Sequence, residues 1–168
     1  MGYSLEKIVS GGQTGVDIAA LQAAYESGFQ TGGWCPPDTR NEQGLIPAKY
    51  RLKPTPLERS ELAPDVPRSQ RTEWNVRDSD GTLIITDTGH QLESGTLWTR
   101  QAALLLSKPI LTVDFPVNIK VELICHWLVK HQITILNIAG PGENEVRGIQ
   151  SKAYMLIKQL LINCRDKT

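Results

Sequence analysis

A glycine-rich turn between an apolar strand and an alanine-rich helix is the feature that most constrains how this chain can fold. The turn spans residues 10–15 and reads Ser-Gly-Gly-Gln-Thr-Gly, with Lys7-Ile8-Val9 before it. Its three glycines allow positive φ angles and a close approach of the backbone to a ligand. Because the N–H groups at a helix start favour a negative ligand, the order strand, turn, helix predicts an α/β protein with an anion-binding loop.

The turn differs from the common nucleotide-binding fingerprints. It is not Gly-x-Gly-x-x-Gly and has no Gly-Lys-Ser/Thr ending, so it predicts neither a dinucleotide fold nor a P-loop ATPase. A strand-to-helix turn that needs glycines only for its geometry is the alternative. The polar Ser10, Gln13 and Thr14 between the glycines favour a functional role. Asp17 is explained equally well as a helix cap and as a ligand contact.

Two more predicted strands end in loops that lead into helices. Residues 82–86 form an apolar run, typical of a parallel strand covered on both faces, and Ser94-Gly95-Thr96 begins the helix after it. Residues 134–139 form another strand, which ends at the glycine loop 140–144. Because the C-terminal ends of parallel strands share one edge of a sheet, we expect all three loops to meet there.

A long irregular segment, residues 38–71, lies between the first and second of these predicted units. It contains five prolines and many charged residues. Segments of this length without regular structure are usually functional or mobile. A flap over a pocket and a surface loop pinned by Leu45 and Ile46 are equally good interpretations of it.

A dense polar cluster follows directly, at residues 71–81. Arg71, Glu73, Asn75 and Asp80 can converge on one ligand, or they can form a solvated helix face with a turn at its end. Arg71 is the strongest candidate for an anion contact, because a guanidinium group matches phosphate oxygens in a fork.

Length, charge and cysteine content exclude several classes of protein. The 168 residues suit one domain, which we predict to span residues 1–168 with an irregular insertion around 38–71. A formal net charge of zero gives no support for nucleic-acid binding. Three widely spaced cysteines predict neither a zinc site nor a disulfide framework. No apolar run reaches the length of a membrane span and no secretory signal is evident, so we expect a cytoplasmic protein.

Several ordered motifs resemble one known family. They are Ser10-Gly11-Gly12-Gln13-Thr14-Gly15-Val16-Asp17, Gly32-Gly33-Trp34-Cys35-Pro36, Arg71-Thr72-Glu73-Trp74-Asn75-Val76, Asp78-Ser79-Asp80-Gly81-Thr82-Leu83 and Leu136-Asn137-Ile138-Ala139-Gly140-Pro141. Together they resemble the molybdenum cofactor carrier protein family, a circularly permuted branch of the SLOG superfamily of Rossmann-like proteins. The resemblance covers nearly the whole chain.

The resemblance implies a Rossmann-like, three-layer α/β/α fold with a mainly parallel sheet of about five or more strands. It also implies a homo-oligomer, a dimer or tetramer, that binds, protects and carries the molybdenum cofactor. This ligand, molybdopterin, is an anionic pterin with a phosphate and an oxo-molybdenum group held by a dithiolene. Glycine loops would hold the oxyanions, the 38–71 segment would shield the ligand, and molybdoenzymes would be the recipients.

The site expected on this basis combines the glycine turn, the second loop and the polar cluster. Its residues are Gly11, Gly12, Gln13, Thr14, Gly15, Arg71, Glu73, Asn75, Asp80, Ser94, Gly95 and Thr96. We find no convincing acid/base or nucleophile pair and no metal-ligand spacing, so we predict no catalytic and no metal-ligating residues.

Two alternative functions stay open. Phosphoribohydrolases of the same superfamily carry a Pro-Gly-Gly-x-Gly-Thr loop followed by a glutamate. Here residues 92–100 read Leu-Glu-Ser-Gly-Thr-Leu-Trp-Thr-Arg, so the Gly-Thr remains while the double glycine and the trailing glutamate are missing. A nucleotide-processing enzyme would use Glu73 or Asp80 as its acid/base group. A nucleotide-binding sensor is the second alternative.

Overall fold

A five-stranded parallel sheet forms the centre of the computed structural model, which describes residues 3–115 and 120–165. The strand order is β2-β1-β9-β7-β8. The strands are β1 (Lys7–Val9), β2 (Gln30–Gly32), β7 (Gly81–Asp87), β8 (Ile110–Phe115) and β9 (Ile135–Ala139). Six of the seven residues of β7 are buried, as expected for a parallel strand covered on both faces. The predicted Rossmann-like α/β fold with a mainly parallel sheet is confirmed.

Five helices cover the two faces of the sheet. They are α1 (Val16–Glu26), α2 (Ser69–Arg77), α3 (Ser94–Leu105), α4 (Val121–Lys130) and α5 (Ile149–Arg165). One apolar cluster joins α1, α4 and α5 to the sheet, and a smaller cluster joins α2 and α3. The fully buried alanines of α1 let this helix approach the sheet and α5 closely. The sequence also predicts a helix over residues 117–131, and the start of this prediction, residues 117–119, lies outside the described residues.

The segment between β2 and α2 is less regular than the rest, but it is not without structure. It contains β3 (Trp34–Cys35), which pairs with β6 (Lys53–Pro54), and a hairpin of β4 (Arg40–Asn41) and β5 (Gly44–Leu45). A 3-10 turn, Ala48–Tyr50, lies between β5 of this hairpin and β6. The sequence predicts one strand over residues 31–37, but the structure has two strands there, β2 and β3, divided at Gly33, whose φ is 122°.

The topology brings the three glycine-containing loops to one edge of the sheet. β1, β9 and β7 are neighbours and run parallel, so the loops that follow them leave the sheet side by side. These loops begin α1, α5 and α3 respectively. This arrangement forms the edge at which open α/β sheets hold their ligands.

No helix among the described residues is long and apolar enough to cross a membrane.

Gly15 should be the least replaceable glycine of the first turn. Its φ is 86°, and a Cβ there would lie 2.4 Å from the carbonyl oxygen of Pro141. Gly148 has the same φ of 86° with nothing within 4 Å of a Cβ, so it is a matched control. We expect Gly148→Ala to cost about 1–2 kcal/mol for its backbone angle alone. Gly15→Ala should cost about 1–3 kcal/mol more, because of the overlap.

Urea unfolding of both variants measures this difference. Equal losses of unfolding free energy would show that the turn before α1 can shift away from Pro141, and would contradict a close, fixed contact between Gly15 and the Pro141 carbonyl.

Candidate functional site

A buried ion pair joins the glycine turn to α2 and forms one wall of the candidate site. Arg71 Nη1 lies 3.1 Å from Asp17 Oδ2, and the two side chains are 9% and 7% exposed. Arg71 Nη2 donates to Gln13 Oε1 at 3.2 Å, and the Gln13 N–H donates to Asp17 Oδ2 at 3.2 Å. A Cβ on Gly11 would lie 2.2 Å from Arg71 Nη1. Gly11 therefore makes room for the guanidinium, and three side chains fix one another.

Helical spacing explains why Arg71 and Asn75 lie on the same face of α2. Residues four apart lie on one helix face, and both side chains are buried. The Asn75 amide donates to the Trp34 carbonyl at 2.9 Å and accepts from the Trp34 N–H at 2.8 Å. Asn75 thus fastens α2 to β3, and its amide is already used for that purpose.

A small polar cavity lies between the glycine turn, α2 and the start of α3. Its volume is about 30 Å³, and it is lined by Gly11, Gln13, Asp17, Arg71, Thr72, Asn75, Glu93, Gly95, Thr96, Thr99, Asn137, Ala139 and Gly140. Arg71 Nε, which belongs to this lining side chain, is buried and has no hydrogen-bond partner among the described residues. An unpaired buried donor costs about 1–3 kcal/mol, so an acceptor placed against this N–H would be stabilised.

The donors at the start of α1 already have acceptors within the protein. The Thr14 N–H and hydroxyl donate to Glu42 Oε2 at 3.3 and 2.9 Å, and the Gly15 N–H donates to Gln150 Oε1 at 2.9 Å. Our expectation of free donors at this helix start is therefore wrong for Thr14 and Gly15. An anion can reach the Thr14 donors only by displacing Glu42.

The N–H donors at the start of α3 also have an acceptor within the protein. Glu93 caps this helix, and its carboxylate accepts from the N–H groups of Gly95 and Thr96, both at 2.6 Å. The Thr96 hydroxyl donates to the same carboxylate. The second predicted anion loop thus also holds an acidic side chain of this chain.

The carboxylates of Glu42, Glu93 and Glu145 lie close enough to affect one another, and Glu93 lines the cavity. Burial raises the pKa of Glu145, and the nearby charges of Glu93 and Glu42 raise this pKa further. Burial also raises the pKa of Glu42, but hydrogen bonds from its own N–H, from Thr14 and from Gln13 outweigh that effect and leave the pKa below its usual value. Glu42 is therefore a charged carboxylate at neutral pH.

Burial has the largest effect on the pKa of Asp17, the acidic partner in the ion pair. It raises the pKa of the Asp17 carboxyl above its usual value, and the Arg71 charge and the Gln13 N–H lower that pKa in part. The carboxylate form of Asp17 thus depends on Arg71.

Half of the predicted binding residues line the cavity: Gly11, Gln13, Arg71, Asn75, Gly95 and Thr96. Gly12, Thr14 and Gly15 lie beside them in the same turn. Gly12 has a φ of 82° and lies under Ile46 and Leu52 of the irregular segment.

The expectation that Asp80 lies near this cavity is wrong. Asp80 directly precedes β7, so it lies at the opposite edge of the parallel sheet from the loops. Its Oδ2 accepts from the Thr134 N–H at 3.0 Å and from the Ile135 N–H at 2.7 Å. Asp80 therefore ties the starts of two strands together.

Glu73 and Ser94 are also outside the cavity. Glu73 is two residues from Arg71 on α2, so it faces another direction, and it accepts from the Ser60 hydroxyl. Ser94 is exposed and lines a separate groove beside Trp98. The structure does not bring either residue to the predicted site.

Sequence reasoning missed several lining residues: Thr72, Glu93, Thr99, Asn137, Ala139 and Gly140. The helix dipole favours a carboxylate at the start of a helix, so the acidic residue directly before Ser-Gly-Thr is a signal that could have identified Glu93. No local sequence pattern identifies Glu42, because it contacts a turn that lies 28 residues away in the chain.

A second groove, on the far side of Asn75 and Trp34, has the opposite charge. It has a volume of about 180 Å³ and is lined in part by Lys7, Arg51 and Lys53. Asp78 also lines it. This groove is the other place near the site where an anion could be attracted.

Comparisons with known proteins agree with one another. The model of the circularly permutated YpsA SLOG family matches residues 8–161. The chain is also similar to a crystal structure described as that of a putative molybdenum carrier protein from Syntrophus aciditrophicus SB. The sequences are 38% identical over 95% of this chain and 96% of the other, with a TM-score of 0.80. No curated protein matches the chain. The family match includes every residue that lines the cavity.

Removal of Arg71 should destabilise the fold strongly, because Asp17 then becomes a buried charge without its partner. We expect Arg71→Met to lower the unfolding free energy by about 3–5 kcal/mol at pH 7. Without Arg71 the folded-state pKa of Asp17 rises further, so the folded protein holds a proton that the unfolded chain releases. The stability of Arg71→Met should therefore fall as pH rises above about 4, the usual pKa of an unfolded aspartate.

Urea unfolding between pH 4 and pH 7 measures this loss and its pH dependence. Arg77→Met is the matched control, since Arg77 is an exposed arginine on the same helix, paired with Asp78. It should cost no more than about 1 kcal/mol. The double variant Asp17→Asn/Arg71→Met should recover part of the loss. Equal losses for Arg71→Met and Arg77→Met would contradict the assigned ion pair.

Proposed function

The chain belongs to the circularly permuted YpsA SLOG family, and from that premise we propose that it binds and carries the molybdenum cofactor. The carrier role is suggested by the structural neighbour described as a putative molybdenum carrier protein, which matches nearly the full length of both chains. In this proposal the protein binds the anionic groups of the cofactor and does not change the cofactor chemically.

One observation carries the proposal: the Arg71 side chain lines the cavity, and its buried Nε–H has no hydrogen-bond partner among the described residues. Arg71 is kept in place by Asp17 and Gln13, so the donor is fixed before a ligand arrives. A charge-assisted hydrogen bond to an oxyanion is about twice as strong as a neutral one. A phosphate or oxo group of the cofactor is therefore the kind of acceptor that fits this position.

The size of the cavity determines how much of the cofactor it can hold. A volume of about 30 Å³ admits a small group only. Pockets that enclose an organic ligand of drug size reach about 300–1,000 Å³. We infer that the cavity takes an oxyanion end of the cofactor, while the pterin lies outside it, toward residues 38–71.

The position of the acidic residues weighs against the enzymatic alternative. A nucleotide-processing enzyme would use Glu73 or Asp80, yet Glu73 contacts Ser60 and Asp80 holds the start of β9. Neither side chain lines the cavity that contains Arg71. The carrier proposal requires no acid/base group.

Retention of cofactor tests this proposal. Protein incubated without oxygen with cofactor released from a molybdoenzyme, then passed through a desalting column, should retain about one pterin per binding site. Gln13→Glu places a negative charge beside Arg71 and should weaken retention at least about tenfold, because unit charges at contact distance repel strongly in a partly buried site.

Gln132→Glu makes the same chemical change at an exposed position before β9, and should retain cofactor as the unchanged protein does. The pterin is quantified by its fluorescence after oxidation. If the unchanged protein retains none, or if Gln13→Glu retains as much as Gln132→Glu, the cofactor is not held at this site.

A further inference from the structure

The hairpin of β4 and β5, residues 40–45, lies directly against the glycine turn. Glu42 at its tip accepts from the Thr14 hydroxyl and N–H and, through Oε1, from Gln13 Nε2 at 3.3 Å. Asn41 Nδ2 donates to the Gly12 carbonyl at 2.8 Å. The Glu42 carboxylate thus bonds to the same set of groups that a bound oxyanion would use.

The same hairpin limits the space above the turn. Residues that directly follow it in the chain continue this cover, since the Ile46 and Leu52 side chains lie against Gly12. The polar cavity beside the turn has a volume of only about 30 Å³, and none of these cover residues lines it. A phosphate attached to an organic group therefore needs more room than this cavity offers, and the Thr14 donors on the turn become available to it only when Glu42 leaves them.

The charges around the cavity also indicate that an entering anion would have to replace Glu42. Arg71 is balanced by Asp17, Glu93 lines the cavity, and Glu42 and Glu145 lie close enough for their charges to interact with each other. An anion that entered while Glu42 stayed would add charge to a site that is already negative. An anion that replaced Glu42 would exchange one negative group for another on the same donors.

We propose that Glu42 holds the place of the ligand's oxyanion on the glycine turn, and that ligand binding displaces the 40–45 hairpin. The ligand class is an organic molecule with a phosphate-type tetrahedral oxyanion, whose oxygens take over the donors of Thr14 and Gln13 beside Arg71. This inference rests on the proposed function and names the side chain that sets the affinity of that site.

The hairpin is built so that it can be displaced. Each of its strands has only two residues, and two-stranded hairpins have marginal stability on their own. Glu42 is exposed apart from its carboxylate contacts, and Leu45 is 69% exposed. Contacts at its ends, such as the Ile46 N–H to the Thr39 carbonyl at 2.9 Å, let the tip move while the ends stay attached.

Binding of inorganic phosphate to variants of Glu42 tests the proposal. Titration calorimetry at low ionic strength should give a dissociation constant at least about tenfold lower for Glu42→Gln than for the unchanged protein, because a neutral amide competes less well for the donors. Glu42→Ala should also bind more tightly. Glu61→Gln removes the same charge from the same irregular segment, at an exposed position, and should bind as the unchanged protein does.

Hydrogen–deuterium exchange of residues 38–46 gives a second readout. Saturating phosphate should speed exchange in the unchanged protein, whereas Glu42→Ala should exchange fast with or without phosphate. Phosphate binding of equal or lower affinity in Glu42→Gln, with exchange slowed by ligand, would overturn the displacement while leaving the anion site in place. If neither the unchanged protein nor any Glu42 variant bound phosphate, the inference and the proposed anion site would both fail.

Discussion

The ion pair between Arg71 and Asp17 is the interaction on which the site depends. It joins α2, from one face of the sheet, to the glycine turn that begins α1 on the other face. Burial of two charges is costly unless hydrogen bonds complete the pair. Gln13 supplies one bond to each partner, yet Arg71 Nε remains unpaired. The chain thus holds a buried arginine in a fixed orientation with one donor, the Nε–H, unpaired among the described residues.

The surroundings of this pair define what an anion would have to displace at the proposed site. Glu42 and Glu93 occupy the donors at the starts of α1 and α3, so the helix ends are satisfied without a ligand. In the proposed function, ligand binding is an exchange of acceptors, and its affinity would depend on how easily the internal carboxylates leave. Glu93 is a local cap, whereas Glu42 belongs to a short hairpin, which makes Glu42 the group expected to move.

The fold was predictable because its signals are local. Apolar runs ending in glycine loops predicted the parallel strands, and their shared edge followed from the geometry of such sheets. The family resemblance read from the ordered motifs is confirmed. The same rules could have excluded Asp80, since a residue just before a parallel strand lies at the opposite edge. Glu73 could have been separated from Arg71 and Asn75 by helical spacing. Glu42 could not have been found, because contacts between distant segments leave no pattern along the sequence.

The central claim is that the anionic end of the ligand binds against Arg71 Nε in the cavity between the glycine turn and α3. A crystal structure of the protein with bound cofactor tests this most directly, since anomalous scattering locates the molybdenum and the density locates the phosphate. The account predicts an oxyanion at hydrogen-bond distance, about 2.7–3.2 Å, from Arg71 Nε. A cofactor whose anionic groups lay in the groove of Lys7, Arg51 and Lys53, with Arg71 Nε still unpaired, would contradict it.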